Sequence, residues 1–294
     1  MDVQNGLVEY PILTWGSDYL KNKYLPKLAR GEWIGGYALT EPQAGSDAAN
    51  VQLKAEKKGS EYILSGNKFF ITNANHANVF IIFARTGQGP KRHEGITAFV
   101  VERNYEGFHV GEDYRKLGVR GSSTAELVLD NVHVPEENIL GEMGKGFYIA
   151  MNTLNMGRIG IGAQALGIAK ASLEKSIEYM KQREAFGKKL ADFEGLQFQI
   201  AEISTDVEAA RLLIYDAAMR ADKNLPLIKE ASMAKYFSSK VAMDASRFAI
   251  QVHGGYGFIE DFDVERYYRD AKITEIYEGT TEIQKIVIAR ELLK

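Results

Sequence analysis

The chain contains no cysteine. That excludes disulfides, thiolate metal sites and cysteine nucleophiles, and it fits a reducing compartment. There is no excess of positive charge either. Lys and Arg number 36 against 39 Asp and Glu, a formal charge of −3, so no basic footprint for nucleic acid exists. No apolar run approaches the roughly 18 residues that would mark a membrane span. The opening stretch MDVQNGLVEYPILTWG lacks both a basic start and a long apolar core, so no signal peptide is expected. His76, His93, His109, His133 and His253 are scattered and have no HExxH-like partner, so no metal site is expected. Internal repeats and low-complexity segments are also missing.

What is present is an ordinary globular composition, 45% hydrophobic and 26% charged over 294 residues, long enough for two or three structural units. Residues 1–34 read as short helices and turns: Ser17 caps a segment bearing Leu20 and Tyr24, and Pro26 restarts a turn bearing Leu28. Over 35–140 the period changes to two. Strands are expected at Val51–Ala55, Tyr62–Leu64, Lys68–Thr72, Val79–Ala84, Ile96–Val101 and Glu126–Val134, between Gly- and Asn-rich turns. No long helical pattern separates them, which predicts a mostly antiparallel sandwich or barrel. Over 141–294 the chain is helical. One helix is expected from about Gly146 to Gln182 and a second through Leu196, Ile200, Ile203, Val207, Ala210 and Ile214. The second is broken at Asn224–Pro226, and a third is stopped by Gly254–Gly255. The fold class is α+β and multidomain: a helical remnant, a β-barrel or sandwich, and an antiparallel four-helix bundle.

Four segments have candidate chemistry. Ile276-Tyr277-Glu278-Gly279-Thr280-Thr281-Glu282-Ile283-Gln284 puts a carboxylate among apolar neighbours just before a helix, with Thr281 and Gln284 fitting a capping box. Apolar burial raises a carboxylate's pKa and a helix N-terminus lowers it, so this residue type suits a general base near neutral pH; first-turn capping chemistry is the alternative. Gly160–Ala165 matches GxGxxA, but within an apolar helical pattern it reads as close helix packing rather than a dinucleotide turn. Tyr37–Asp47 joins two hydroxyls, Pro42 and Gly45 in a loop that can aim N–H groups at a phosphate or flavin edge, or be a plain strand-to-loop turn. Gln251–Phe258 places three glycines past a helix end, either for close approach to a ligand or as a simple C-cap.

Together these segments resemble the acyl-CoA dehydrogenase family of flavoproteins. Ala38–Asp47 is similar to the family's first signature. Gln251, Gly254, Gly255, Gly257, Asp261, Arg266 and Asp270 keep the spacing of its second. Phe70-Ile71-Thr72, Lys116–Thr124, Arg183–Gly187 and Tyr277–Thr280 resemble further elements in the family's order, while most of the family's N-terminal helical domain is expected to be missing. The resemblance implies FAD as cofactor and α,β-dehydrogenation of a short- or medium-chain acyl-CoA, with Glu278 as the α-proton base. Some members carry the base on the long helix, where this chain has Gly157, and the stretch Leu154–Ile161 looks closest to the short-chain branch.

The resemblance also implies residue roles. Tyr37, Leu39, Thr40, Gly45, Ser46, Phe70, Ile71 and Thr72 would hold the flavin. Arg183, Phe186, Gln251, Gly254 and Gly255 would reach the FAD of a neighbouring subunit, and Thr280 and Glu282 would lie along the FAD. Ser46, Asn155, Arg158 and Gly279 would meet the acyl-CoA. Asn155 stands where an aspartate is usual and Glu194 where a glutamine is usual. An electron-transfer flavoprotein as partner, a homotetramer built as a dimer of dimers, a place in fatty acid β-oxidation, and a cytoplasmic or mitochondrial-matrix location follow from the same resemblance. An oxygen-using acyl-CoA oxidase and a catalytically silent binding fragment remain the competing readings.

Overall fold

The computed structural model describes residues 1–294. The chain forms two compact units, one of Met1–Arg115 with Arg120–Gly157, the other of Lys116–Val119 with Arg158–Lys294. In the first unit a π-type stretch, Val3–Glu9, runs into α1 (Tyr10–Trp15), followed by α2 (Asp18–Ala29). The Ser17 hydroxyl accepts from the Leu20 N–H and caps α2, as the spacing predicts. Pro26 does not restart a turn; it lies inside α2. Leu20, Tyr24 and Leu28, spaced by four, are fully or almost fully buried in one apolar cluster, and that packing outweighs the roughly 3 kcal/mol a helix-interior proline costs.

Eight strands form one mixed sheet: β1 (Gly35–Ala38), β2 (Lys54–Lys58), β3 (Glu61–Thr72), β4 (Val79–Arg85), β5 (Ile96–Glu102), β6 (Phe108–Val110), β7 (Thr124–Pro135) and β8 (Ile139–Leu140), in the order β6-β7-β3-β2-β4-β5-β8 with β1 on β4. Most pairings are antiparallel; β1 on β4 and the Lys54–Arg85 bridge are parallel. The unbroken apolar run of β4 has a direct cause. Phe80, Ile82 and Ala84 enter a cluster shared with β3 and β7, while Val79, Ile81 and Phe83 enter the cluster of Ile12, Leu20 and Tyr24. Both faces are buried, so alternation disappears. The two segments expected at Tyr62–Leu64 and Lys68–Thr72 are a single strand, β3. Gly66, at φ 141°, makes a bulge against β7, and a Cβ there would lie 3.1 Å from Leu53 Cα.

Helix α3 (Gly146–Gln182) has the expected bounds. The second unit continues through a two-residue hairpin, β9 (Glu184–Ala185) and β10 (Lys188–Lys189), then α4 (Glu194–Asp222), α5 (Ile228–His253), α6 (Val264–Thr274) and α7 (Thr281–Leu292). Small residues knit the bundle: Ala165, Ala169, Ala210, Ala242, Ala245 and Ala271 share one buried cluster. The GxGxxA segment lies within α3, and a Cβ on Gly162 would sit 3.3 Å from Ile214 Cγ1, which is close helix packing and not a phosphate turn. No helix is long and apolar enough to cross a membrane.

The docking of the N-terminal segment on the sheet depends on Gly35, where a Cβ would meet Val8 Cγ1 at 2.5 Å. Gly35→Ala is expected to destabilise the fold by about 1–3 kcal/mol, as overpacking does. Denaturant titration followed by tryptophan fluorescence checks this; an unchanged midpoint would contradict the packing described.

Candidate active site

Glu278 lies in the six-residue connection between α6 and α7, together with Glu275, Ile276, Tyr277, Gly279 and the cap residue Thr280. Its backbone has φ 54°, in the left-handed region, and Gly279 follows at φ 96°. A non-glycine residue held there costs about 1–3 kcal/mol and persists only where its surroundings enforce it. The enforcement is visible. The Gly279 carbonyl accepts from Lys235 Nζ at 2.6 Å and from Gln284 Nε2 at 2.8 Å, and Gln284 Nε2 also reaches the Glu278 carbonyl at 3.2 Å. The Thr281 N–H donates to the Glu275 carbonyl at 3.0 Å and closes the connection. A Cβ on Gly279 would lie 2.7 Å from Gln284 Nε2, so both the conformation and the approach require glycine there.

Two expectations for this segment change. The cap of α7 is Thr280, whose hydroxyl accepts from the Ile283 N–H, and not Thr281; Gln284 is fully buried and bonds the preceding turn instead of closing a capping box. The surroundings of Glu278 are also less apolar than its neighbours suggested. Ile276 is exposed, and the Tyr277 hydroxyl bonds Gln164 Oε1. The field comes from two buried cations. Burial pulls Lys235 down to about 8, and the Glu278 carboxylate opposes that shift. Burial likewise holds Arg158 below the guanidinium range, again opposed by Glu278. Arg158 is no helix-surface cation: it is 5% exposed and donates to Ser232 Oγ at 3.3 Å.

Elsewhere in the second unit, a cleft of about 390 Å³ is lined by Arg183, His253, Gly254, Gly255 and Tyr256 among others. His253 stacks on Tyr179 with ring centroids 4.1 Å apart. Gly254 caps α5 at φ 60°, and Gly254 and Gly255 both face open space. Phe186 tips the β9–β10 hairpin, 96% exposed at φ 53°. Gln251 and Glu282 are exposed, and the Thr280 hydroxyl is engaged in capping.

In the first unit the Leu39–Ser46 loop is tied down by one carboxylate. Glu41 accepts from Lys68 Nζ (2.7 Å), the Gln52 N–H (2.7 Å), the Leu53 N–H (3.0 Å) and Gln43 Nε2 (2.6 Å). Lys68 is fully buried, donates also to the Leu39 carbonyl, and is pulled by that burial down to about 8. The side chains of Leu39 and Ile71 are buried, so only their backbones can meet a ligand. Gly45 and Ser46 are exposed, Tyr37, Thr40 and Thr72 are partly buried, and Phe70 is 65% exposed at φ 58°. Asn155 is 9% exposed on α3, two residues before Gly157, which offers no side chain for chemistry.

The models of three acyl-CoA dehydrogenase domains match the chain: the N-terminal domain at residues 1–32, the middle domain at 36–132 and the C-terminal domain at 144–293. The chain belongs to the acyl-CoA dehydrogenase family. An acyl-CoA dehydrogenase of Bacillus subtilis is 50% identical over 293 residues, which span 100% of this chain and 77% of that protein. Butyryl-CoA dehydrogenase of Megasphaera elsdenii superposes with a TM-score of 0.97 at 45% identity, covering 100% of this chain and 76% of that one. A chain from structural work on the electron-transferring flavoprotein of Acidaminococcus fermentans gives 0.97 at 46% identity, covering 100% and 77%.

The residues of this acyl-CoA dehydrogenase family member fit the flavin that the family implies. Phe70 and Phe186 are exposed aromatics in strained left-handed backbone, and Gly45, Gly254 and Gly255 have open space where a Cβ would stand. Exposed aromatic faces and glycine backbone that a ligand can approach closely suit a ring and a pyrophosphate. Sequence reasoning missed Glu41, Lys68, Ser232 and Lys235. For Lys235 a signal existed, since it falls on the same helical stripe as Ala231, Ser238 and Ala242, all buried. Lys68→Met removes the cation from a buried pair, with an expected cost of about 3–5 kcal/mol and loss of flavin from purified protein. Thermal unfolding and the flavin-to-protein absorbance ratio check this; an unchanged ratio would contradict the role given to the Leu39–Ser46 loop.

Proposed function

We propose that this chain is an FAD-dependent dehydrogenase of short- or medium-chain acyl-CoA, forming the trans-2-enoyl-CoA, with Glu278 as the base. The observation that carries this reading is the left-handed Glu278–Gly279 turn, fixed by Lys235 and Gln284 and faced by the Arg158 and Lys235 cations. Strain enforced at one carboxylate, with two cations desolvated beside it, is the arrangement of a working group and not of a helix cap.

Bound flavin supplies the acceptor for the hydride that leaves the β-carbon. The residues of the chain do the rest. Glu278 takes the α-proton on its carboxylate, and the electron pair of that C–H bond forms the new double bond. As enolate character builds on the thioester oxygen, the Glu278 N–H serves as a fixed donor, because its direction is set by the locked turn. Arg158 and Lys235 place two buried positive charges beside that carboxylate. Arg158, buried against Ser232, acts through this field rather than on an exposed nucleotide. Ser46, Asn155 and Gly279 are assigned to the acyl-CoA.

Tyr37, Leu39, Thr40, Gly45, Ser46 and Phe70 to Thr72 are assigned to the flavin, with Thr280 and Glu282. Arg183, Phe186, Gln251, Gly254 and Gly255 are assigned to the FAD of a second subunit, within a homotetramer. The exposed stripe Leu212, Tyr215 and Met219 on α4 supports such an assembly, since its spacing of three and four residues makes one apolar face. The Acidaminococcus chain supports an electron-transfer flavoprotein as the onward acceptor.

Glu278→Gln is expected to retain flavin and to lose about 10⁴-fold in the rate of flavin bleaching by butyryl-CoA without oxygen, the upper range for a general base. Normal bleaching by that variant would overturn the assignment.

A further inference from the structure

The connection that carries Glu278 is held from one side by a polar stripe on α5. Ser232, Lys235 and Ser239 are spaced by three and four residues, so they share a face, and each is fully buried. Ser232 Oγ takes a hydrogen bond from Arg158 Nη1. Lys235 Nζ donates to the Gly279 carbonyl at 2.6 Å. Ser239 Oγ donates to the Thr274 carbonyl at 2.8 Å, where α6 ends. The stripe therefore contacts the last carbonyl of α6, the carbonyl after the base, and the arginine whose charge faces the base.

We infer that Lys235 is a positioning residue for Glu278: its ammonium clamps the Gly279 carbonyl and so fixes the left-handed turn that aims both the Glu278 carboxylate and the Glu278 N–H. The Gly279–Thr280 peptide, which carries the clamped carbonyl, directly follows the two left-handed residues, Glu278 at φ 54° and Gly279 at φ 96°. Without a donor on the Gly279 carbonyl, that peptide is free to rotate toward ordinary backbone and release the strain. Gln284 shares the same acceptor from the α7 side, so the oxygen is gripped between two helices.

A lysine is costly at this position, because burial disfavours its charge. Facing it are Glu278 and Glu275 from the connection, Glu282 from α7 and Arg158 from α3. A neutral glutamine or serine on α5 would satisfy the carbonyl at lower cost but supply no positive charge beside Glu278. The residue type thus matches a dual demand, a donor for the turn and a cation for the base.

This inference rests on the proposed function for its catalytic readout, and one of its readouts does not. Lys235→Met keeps the length and removes the donor; Gln284→Met removes the other donor to the same oxygen. In flavin-loaded protein, each is expected to lower the rate of flavin reduction at saturating butyryl-CoA by about 10²-fold, the cost of misplacing a reacting group by about 1 Å. Acyl-CoA affinity, measured by titration, is expected to stay within about threefold. The double variant is expected to lose less than the product of the single losses, because both act on one carbonyl. Hydrogen exchange at the Thr281 amide, measured without substrate, is expected to speed up in both single variants. Wild-type exchange and wild-type reduction in Lys235→Met would overturn the inference. If Lys235→Met does not fold, Gln284→Met carries the same test, and unchanged exchange there would overturn it as well. If no acyl-CoA reduces the flavin of the unmodified protein, the proposed function fails while the exchange measurement still decides the positioning role.

Discussion

One carbonyl oxygen, that of Gly279, sets the geometry of the candidate active site. It accepts from Lys235 on α5 and from Gln284 on α7, and the two bonds hold a backbone conformation that glutamate rarely adopts. An unclamped turn would relax into ordinary backbone and carry the Glu278 side chain with it. The rest of the second unit serves this constraint. Small residues pack α3, α4 and α5 closely, and Lys235 on α5 is completely buried, which strengthens its bond to the carbonyl.

The first unit solves a similar problem by similar means. Its Leu39–Ser46 loop exposes Pro42, Gln43, Gly45 and Ser46, so little apolar packing is available between the buried Leu39 and Ala44 and the end of the loop. Glu41 replaces that packing with a hub of backbone and side-chain donors anchored by the buried Lys68. A buried ion pair contributes little net stability, because desolvating two charges offsets their attraction. Its value here is definition: the carboxylate fixes where the loop's backbone points. In each unit a fully buried lysine stands behind a segment assigned to ligand or chemistry.

Much of the fold was legible in the sequence. The bounds of α3, the break at Asn224–Pro226 and the stop at Gly254 follow from apolar periodicity and glycine placement, which are local signals. Strands β3, β4, β5 and β7 were legible for the same reason, whereas the short β1, β6 and β8 were not expected and β2 is Lys54–Lys58 instead of Val51–Ala55; Glu278 stood out as a carboxylate just before a helix start. The errors lie where tertiary packing overrides local rules. Pro26 sits inside α2 because Tyr24 and Leu28 have a core to enter. Tyr62 to Thr72 is one strand because Gly66 bulges in the pairing with β7, close against Leu53, instead of ending it. Thr280, and not Thr281, caps α7 because Gln284 is drawn to the preceding carbonyls. Lys235 and Lys68 were invisible as partners, since neither the acceptor 44 positions away nor the one 27 positions away leaves a trace in local spacing.

The central claim is that Glu278 removes the α-proton. Its most direct test is deuterium wash-in at the α-carbon of butyryl-CoA incubated in D₂O with flavin-loaded protein, without oxygen or electron acceptor. The account predicts exchange at the α-carbon by the unmodified protein and its loss in Glu278→Gln with flavin still bound. Undiminished α-exchange in that variant would contradict it.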